Sequence, residues 1–321
     1  MKVGVLSSAL SDLPLGEALD LLQELKVDAV EIGTGCYPGS PHCNLPELLE
    51  SPTAVDAYLR EFELRGLTIS ALSCHGNPIS PDEAQAQRDS QVFDDTVRLA
   101  PKLGVGVVNC FSGLPGDCEG GRVPIWVTRP WPPEHSDLLE KQWDQVIIPH
   151  WKKANTHATE HGVKIGLELH PNMAVFNPAT LHRLRGEAGK AIGVNWDPSH
   201  FWGMGADPLQ VLRALKGCVW HAHAKDARLL PAAGVNGLFG AVPMDDLEAS
   251  PWTFCTVGTG HGLEWWHQHS AELRTVEYDF VLSLEHEDGL MSPSEGLRKG
   301  VSALHATVIR DKPGDLRWLR N

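Results

Sequence analysis

Along the chain, short runs of apolar and β-branched residues alternate with stretches in which apolar positions recur every three to four residues. The short runs, at 3–6, 29–32, 68–72, 106–110, 164–169, 191–196, 219–223 and 280–284, read as eight strands. Most are apolar on both faces, as expected of parallel strands covered from both sides. Helical periods fill the intervals. In 16–25, Ala18, Leu21, Leu22 and Leu25 lie on one stripe. Similar patterns cover 54–65, 85–103, 137–161, 178–187, 208–215, 263–274 and 293–309. Pro178, Pro208 and Pro293 stand at helix starts, where a missing N–H costs little. Asn177, Asp207 and Ser292 precede them as expected N-caps.

Eight strands alternating with eight helices predict an α/β fold, a single (β/α)8 TIM barrel domain over 1–321. Two connections exceed the usual βα length: 111–135 after strand 4 and 225–262 after strand 7. Both follow strands, so both belong to the C-terminal face, where barrel active sites form.

Composition narrows the function. Apolar residues make up 42% of the 321, with 31 Gly besides, enough for a large core. Acidic side chains number 41 against 27 basic ones, a formal net charge of −14. Nucleic-acid binding depends on Lys and Arg releasing counterions, so no nucleic-acid partner is expected. No run approaches 18 apolar residues and no signal-like segment opens the chain, so a soluble, cytoplasmic protein without a membrane partner is expected. The seven Cys stand singly, without CxxC spacing, which argues against a disulfide framework or a thiolate zinc site.

The chemistry-bearing residues gather at the C-terminal ends of the strands. They are Glu31, His75, Asn109, Glu168 and His170 in LELHP, Asp197 and His200 in NWDPSH, His221 and His223 with Lys225 and Asp226 in HAHAKD, and Glu285 and His286 in SLEHED. Charged and imidazole groups beside apolar strands are costly unless paired or metal-bound. In a barrel these ends converge. Glu168, Asp197, His223 and Glu285 form the best donor set, three carboxylates and one imidazole, suited to a hard divalent ion with open positions. Only one of His221 and His223 is expected to face the mouth. We assign His223 there and leave His221 to outer packing.

On ELHP (168–171), NWDPSH (195–200), HAHAKD (221–226), VGTGHGLEWW (257–266) and SLEHED (283–288), the chain resembles the sugar phosphate isomerase/epimerase family of xylose isomerase-like barrels. The resemblance is tightest over 164–290. It implies one divalent metal on Glu168, Asp197, His223 and Glu285, with Mn²⁺ the expected ion and Zn²⁺, Co²⁺, Mg²⁺ and Fe²⁺ compatible. It implies that Glu168 and Glu285 transfer a proton beside a metal-polarised carbonyl through an enediolate, and that His200 meets a substrate hydroxyl. The implied activity is isomerisation or epimerisation of a sugar, keto-sugar or sugar derivative, and dimers or tetramers are common in that family.

His75, His170, Lys225 and His261 are further candidate substrate contacts. Lys225 alternatively pairs with Asp226. His261 lies in GTGHG, whose glycines allow close backbone approach and whose position suits covering the site. Glu31 either binds a hydroxyl or pairs within the barrel. Trp126, Trp131, Arg122 and Arg129 in the loop after strand 4 suit stacking on a sugar and binding an anion, or a hydrophobic cover. Three other readings use the same barrel: a dehydratase or lyase on a keto-sugar or inosose, an endonuclease IV-like zinc phosphodiesterase, and a non-catalytic sugar-binding protein. The second is disfavoured by Asn109, which stands where another His ligand would be wanted, and by the charge.

Overall fold

The computed structural model describes residues 1–312 and 314, apart from 119 and 244. Its strands in chain order are β1 (Lys2–Leu6), β2 (Ala29–Gly33), β3 (Thr68–Ser73), β4 (Val107–Phe111), β5 (Lys164–Glu168), β6 (Ile192–Trp196), β7 (Val219–Ala224), β8 (Asp226–Leu229), β9 (Trp252–Cys255) and β10 (Val281–Leu284). Eight of them close a barrel in the order β1-β10-β7-β6-β5-β4-β3-β2. All eight contacts are parallel, and the seam is β1 on β10 with Gly4 opposite Ser283. This is the (β/α)8 TIM barrel that the alternating pattern predicts.

The helices wrap the barrel with their apolar stripes inward. Leu15–Glu24 buries Ala18, Leu19 and Leu22. Pro293–Thr307 buries Leu297, Val301 and Leu304. The three expected caps are formed: Asn177 accepts from Thr180 N, Asp207 from Leu209 N and Gln210 N, and Ser292 from Glu295 N. Such caps satisfy amides that the first helical turn leaves without partners.

Two segments differ from the sequence expectation. The helical stretch read as 137–161 starts at Pro133 and is interrupted by a π-helical turn, Gln142–Ile147, before resuming at Ile148–Glu160. There Gln142 Nε2 reaches back to the carbonyls of Pro115, Gly116 and Ile125, tying down the long loop after β4. The loop after β7 is not irregular throughout, since β8 and β9 pair in it as an antiparallel ribbon. Each strand has four residues, and 22 residues separate them, so no short-range turn signal could announce the pairing.

Candidate functional site

The interior of the barrel holds two tiers of polar side chains. The lower tier is fully enclosed: Glu31 from β2, Asn109 from β4, Asn195 from β6 and His221 from β7 all have zero exposure. Asn109 Nδ2 donates to Glu31 Oε1 at 2.8 Å, and Ser73 Oγ donates to the same oxygen. His221 Nδ1 lies 3.1 Å from Asn195 Oδ1, and its Nε2 lies 3.2 Å from Ser70 Oγ. Asn109 fits because its neighbour is Gly166, where an added Cβ would meet Asn109 Oδ1 at 2.4 Å.

His221 is therefore inside the barrel and not outer packing. Residues two apart on a strand share a face, so His221 and His223 both point inward, one above the other. Burial is the largest influence on His221 and pushes its imidazole down to about 4, leaving it neutral.

The upper tier faces the mouth. Glu168, Asp197, His223 and Glu285 each bring one donor atom within 4.8 Å of all the others. His223 Nδ1 lies 3.2 Å from Glu168 Oε2 and 3.0 Å from Glu285 Oε2. Its other nitrogen, Nε2, lies 3.0 and 2.9 Å from the two oxygens of Glu31. Glu31 is an acceptor, so it fixes a proton on Nε2 and turns Nδ1 toward the cluster, where a cation would take its lone pair.

Glu168 is the most connected of the four. Its Oε1 lies 2.8 Å from His200 Nε2, and its Oε2 takes His75 Nε2 and Asn195 Nδ2, each at 3.1 Å. Burial would raise its pKa, but His75 and the hydrogen bond from His200 hold the carboxyl well below the usual range. Asp197 and Glu285 are likewise held low against burial, first by Lys225 and then by His200 and His223 respectively. All three carboxylates are thus ionised at neutral pH.

Whether a cation fits here can be judged from the atoms left over. Asp197 Oδ2, His223 Nδ1 and Glu285 Oε2 are buried without a hydrogen bond of acceptable geometry, the two oxygens having the Lys225 ammonium 3.2 and 2.8 Å away. Orphaned buried acceptors are rare in folded proteins because each costs about 1–3 kcal/mol. Donors on opposite sides of one ion at usual metal–ligand distances stand roughly 4 Å apart, matching the spread of this cluster. Three hard oxygens and one imidazole nitrogen fit Mn²⁺, Mg²⁺, Zn²⁺ or a similar dication.

The remaining predicted contacts divide. His75, His170 and Lys225 line a cavity of about 560 Å³ above the cluster, together with Glu168 and Glu285. Lys225 pairs with the donors and not with Asp226. Its Nζ lies 3.2 Å from Asp197, 2.8 Å from Glu285 and 3.2 Å from Glu287. His200 is brought to the cluster but is fully enclosed behind Glu168 and Asp197. Burial opposes its charging, but Asp197 wins and raises its pKa to about 9. His261 is not brought to the cluster. Its Nδ1 lies 2.8 Å from Asp226, and its ring stacks on Trp202 with centroids 3.9 Å apart.

Trp126 packs in a separate recess with Phe176, while Trp131 is 77% exposed. Among the lining residues that the sequence reading missed are Tyr37, Met173 and Glu287. For Glu287 a signal existed, namely its i+2 spacing from Glu285.

A family model described as xylose isomerase-like TIM barrel matches residues 19–307. The chain belongs to that family. Within it, this xylose isomerase-like barrel is 39% identical over 313 residues to the uncharacterized protein YfiH of Bacillus subtilis (strain 168), covering 96% of this chain and 99% of that one. Among solved structures it is similar to the IOLI protein with a binding zinc atom, at 19% identity and TM-score 0.66, covering 96% and 98% of the two chains. It is also similar to a D-tagatose 3-epimerase-like protein at 19% identity and TM-score 0.62, with the same coverage. At that identity the structural likeness speaks for the fold. Among the described residues, no helix is long and apolar enough to cross a membrane.

Proposed function

We propose that this barrel, acting as one domain, is a divalent-metal-dependent isomerase or epimerase of a sugar, keto-sugar or sugar derivative. Glu168, Asp197, His223 and Glu285 would hold the ion, and Glu168 and Glu285 form the proton-transfer pair. One observation carries this reading. Of the four donors, only Glu168 and Glu285 also line the cavity, so they alone meet both the ion and the substrate. A dication at this position, Mn²⁺ being the expected one, polarises a carbonyl and acidifies the C–H beside it.

The protein's own groups do the rest. One carboxylate takes the proton from the carbon; returning a proton to the neighbouring carbon, while the hydroxyl proton passes to the former carbonyl oxygen, gives the isomer, and returning it from the opposed carboxylate to the other face of the same carbon gives the epimer. His75 and His200 hold Glu168 at a fixed angle through its two oxygens. Lys225 balances Glu285 and Asp197. The zinc bound in the IOLI structure supports the assignment.

The test has two parts. Protein purified without chelator should carry close to one divalent ion per chain by plasma mass spectrometry. Incubated with ketoses in D₂O, the loaded protein should place deuterium on the carbon beside the carbonyl. Lack of metal uptake on adding Mn²⁺ or Co²⁺ would sink the site assignment. Turnover without deuterium would sink the two-carboxylate mechanism. A product short of one water would move the reaction to the dehydratase class.

A further inference from the structure

The cavity above the donors has a charge balance that selects its ligand. The three carboxylates of the donor set, one dication and the Lys225 ammonium already sum to zero. Glu287, half exposed at the rim and 3.2 Å from Lys225 Nζ, then leaves the site negative. Among the described residues lining the cavity there is no Arg, and Lys225 is the only Lys. Its Nζ is engaged by three carboxylates within 3.2 Å, so it has no charge to spare for an anion. His170 turns its Nδ1 to the carbonyl of Pro171. Part of the lining is aromatic: Tyr37 and Phe111 meet edge to face with centroids 6.0 Å apart, and Tyr37 is 74% exposed.

Phosphate and carboxylate groups are recognised by unspent Arg or Lys charge, usually through paired hydrogen bonds. The C–H face of a sugar is recognised by an aromatic ring, with neutral donors and acceptors for its hydroxyls. We propose that the substrate is an uncharged polyhydroxy ketone, carrying neither phosphate nor carboxylate, with its C–H face against Tyr37 and Phe111. This rests on the metal-dependent reading of the site given above.

The test separates the two. Binding of fructose and of fructose 6-phosphate to the zinc-loaded protein is compared by saturation-transfer NMR competition, and deuterium uptake from D₂O is followed in parallel. Fructose is expected to bind at least tenfold more tightly. In Glu287→Lys the preference for fructose over the phosphate ester should narrow at least tenfold. Equal or tighter binding of the phosphate ester by the native protein would overturn the inference, as would failure of fructose to bind. Binding that favours fructose without any deuterium uptake would uphold the charge selection and count against the proton-transfer mechanism alone.

Discussion

Lys225 and Asp226 are neighbours in the chain and both are buried, yet they belong to regions built on opposite principles. Asp226 sits in a saturated clamp. It accepts from the amides of Gly258, Gly260 and His261 at 3.0–3.1 Å, and from His261 Nδ1 at 2.8 Å. Gly260 is required there, since an added Cβ would stand 2.8 Å from Asp226 Oδ1 and 2.5 Å from the carbonyl of Ala227. Lys225 instead joins a cluster of converging carboxylates and an imidazole, in which three donor atoms lack a hydrogen bond of good geometry and Lys225 is an ion-pair partner of two of them. The difference teaches how to tell scaffold from site. A buried carboxylate with every lone pair filled has no further ligand to accept, whereas carboxylates that face one another with atoms to spare imply a cation.

Four predictions probe that contrast. The largest effect belongs to the cavity-lining donors: Glu168→Gln and Glu285→Gln should each lower turnover by about 10²- to 10⁴-fold, the usual worth of a positioned acid or base. A variant keeping native kcat would remove its residue from the pair. Next comes the ion itself. Supplying Mn²⁺ at about 100 times its Kd should raise stability by ~2.7 kcal/mol over chelated protein, read as a shift in Tm. An unchanged Tm would make the cluster as closed a structure as the Asp226 clamp.

The third prediction compares two carboxylates directly. Glu31→Gln replaces the charged acceptor that holds His223 with a neutral amide, so metal affinity measured by chelator competition should fall about 10- to 100-fold. Asp226→Asn should leave metal affinity unchanged and cost about 1–3 kcal/mol of stability, because it unpairs the loop amides. If Asp226→Asn weakened the metal as much, the two regions would not be separate.

The last prediction is a pH dependence from outside both regions. Burial pushes His150 down to about 4 and His269 to about 3, so both are neutral in the folded protein. In the unfolded chain they charge below about 6.5, so folding loses stability as pH falls through 6.5 toward 4 and is unaffected above it. The expected slope is up to about 1.4 kcal/mol per pH unit for each imidazole. Replacing both by Gln should flatten the acid limb of a Tm profile; an unchanged limb would place the acid sensitivity elsewhere.

Much of the barrel was legible because periodicity survives without partners. A strand covered on both faces reads as a continuous apolar run, and an N-cap reads from one Asn, Asp or Ser before a Pro. The β8–β9 ribbon was not legible, since its two four-residue strands share no local signal. The π-helical turn was hidden because it differs from an α-helix by one residue within an apolar stripe. The interior position of His221 was legible in the i+2 spacing and was misassigned. The tie from Glu31 to His223 was not, because β2 and β7 stand 192 positions apart in the chain.

The sequence by itself determined the alternation of elements, the residue types at the strand ends and the acidic charge of the whole, because each depends on composition or short-range spacing. Only the tertiary structure decided which donor atoms meet, which keep an unfilled lone pair, that Lys225 turns to the donors while Asp226 turns to the GTGHG loop, and that His261 lies away from the cluster. Barrel closure brings residues from β2, β5, β6, β7 and β10 to one place, and hydrogen-bond satisfaction is a property of that meeting rather than of any one strand.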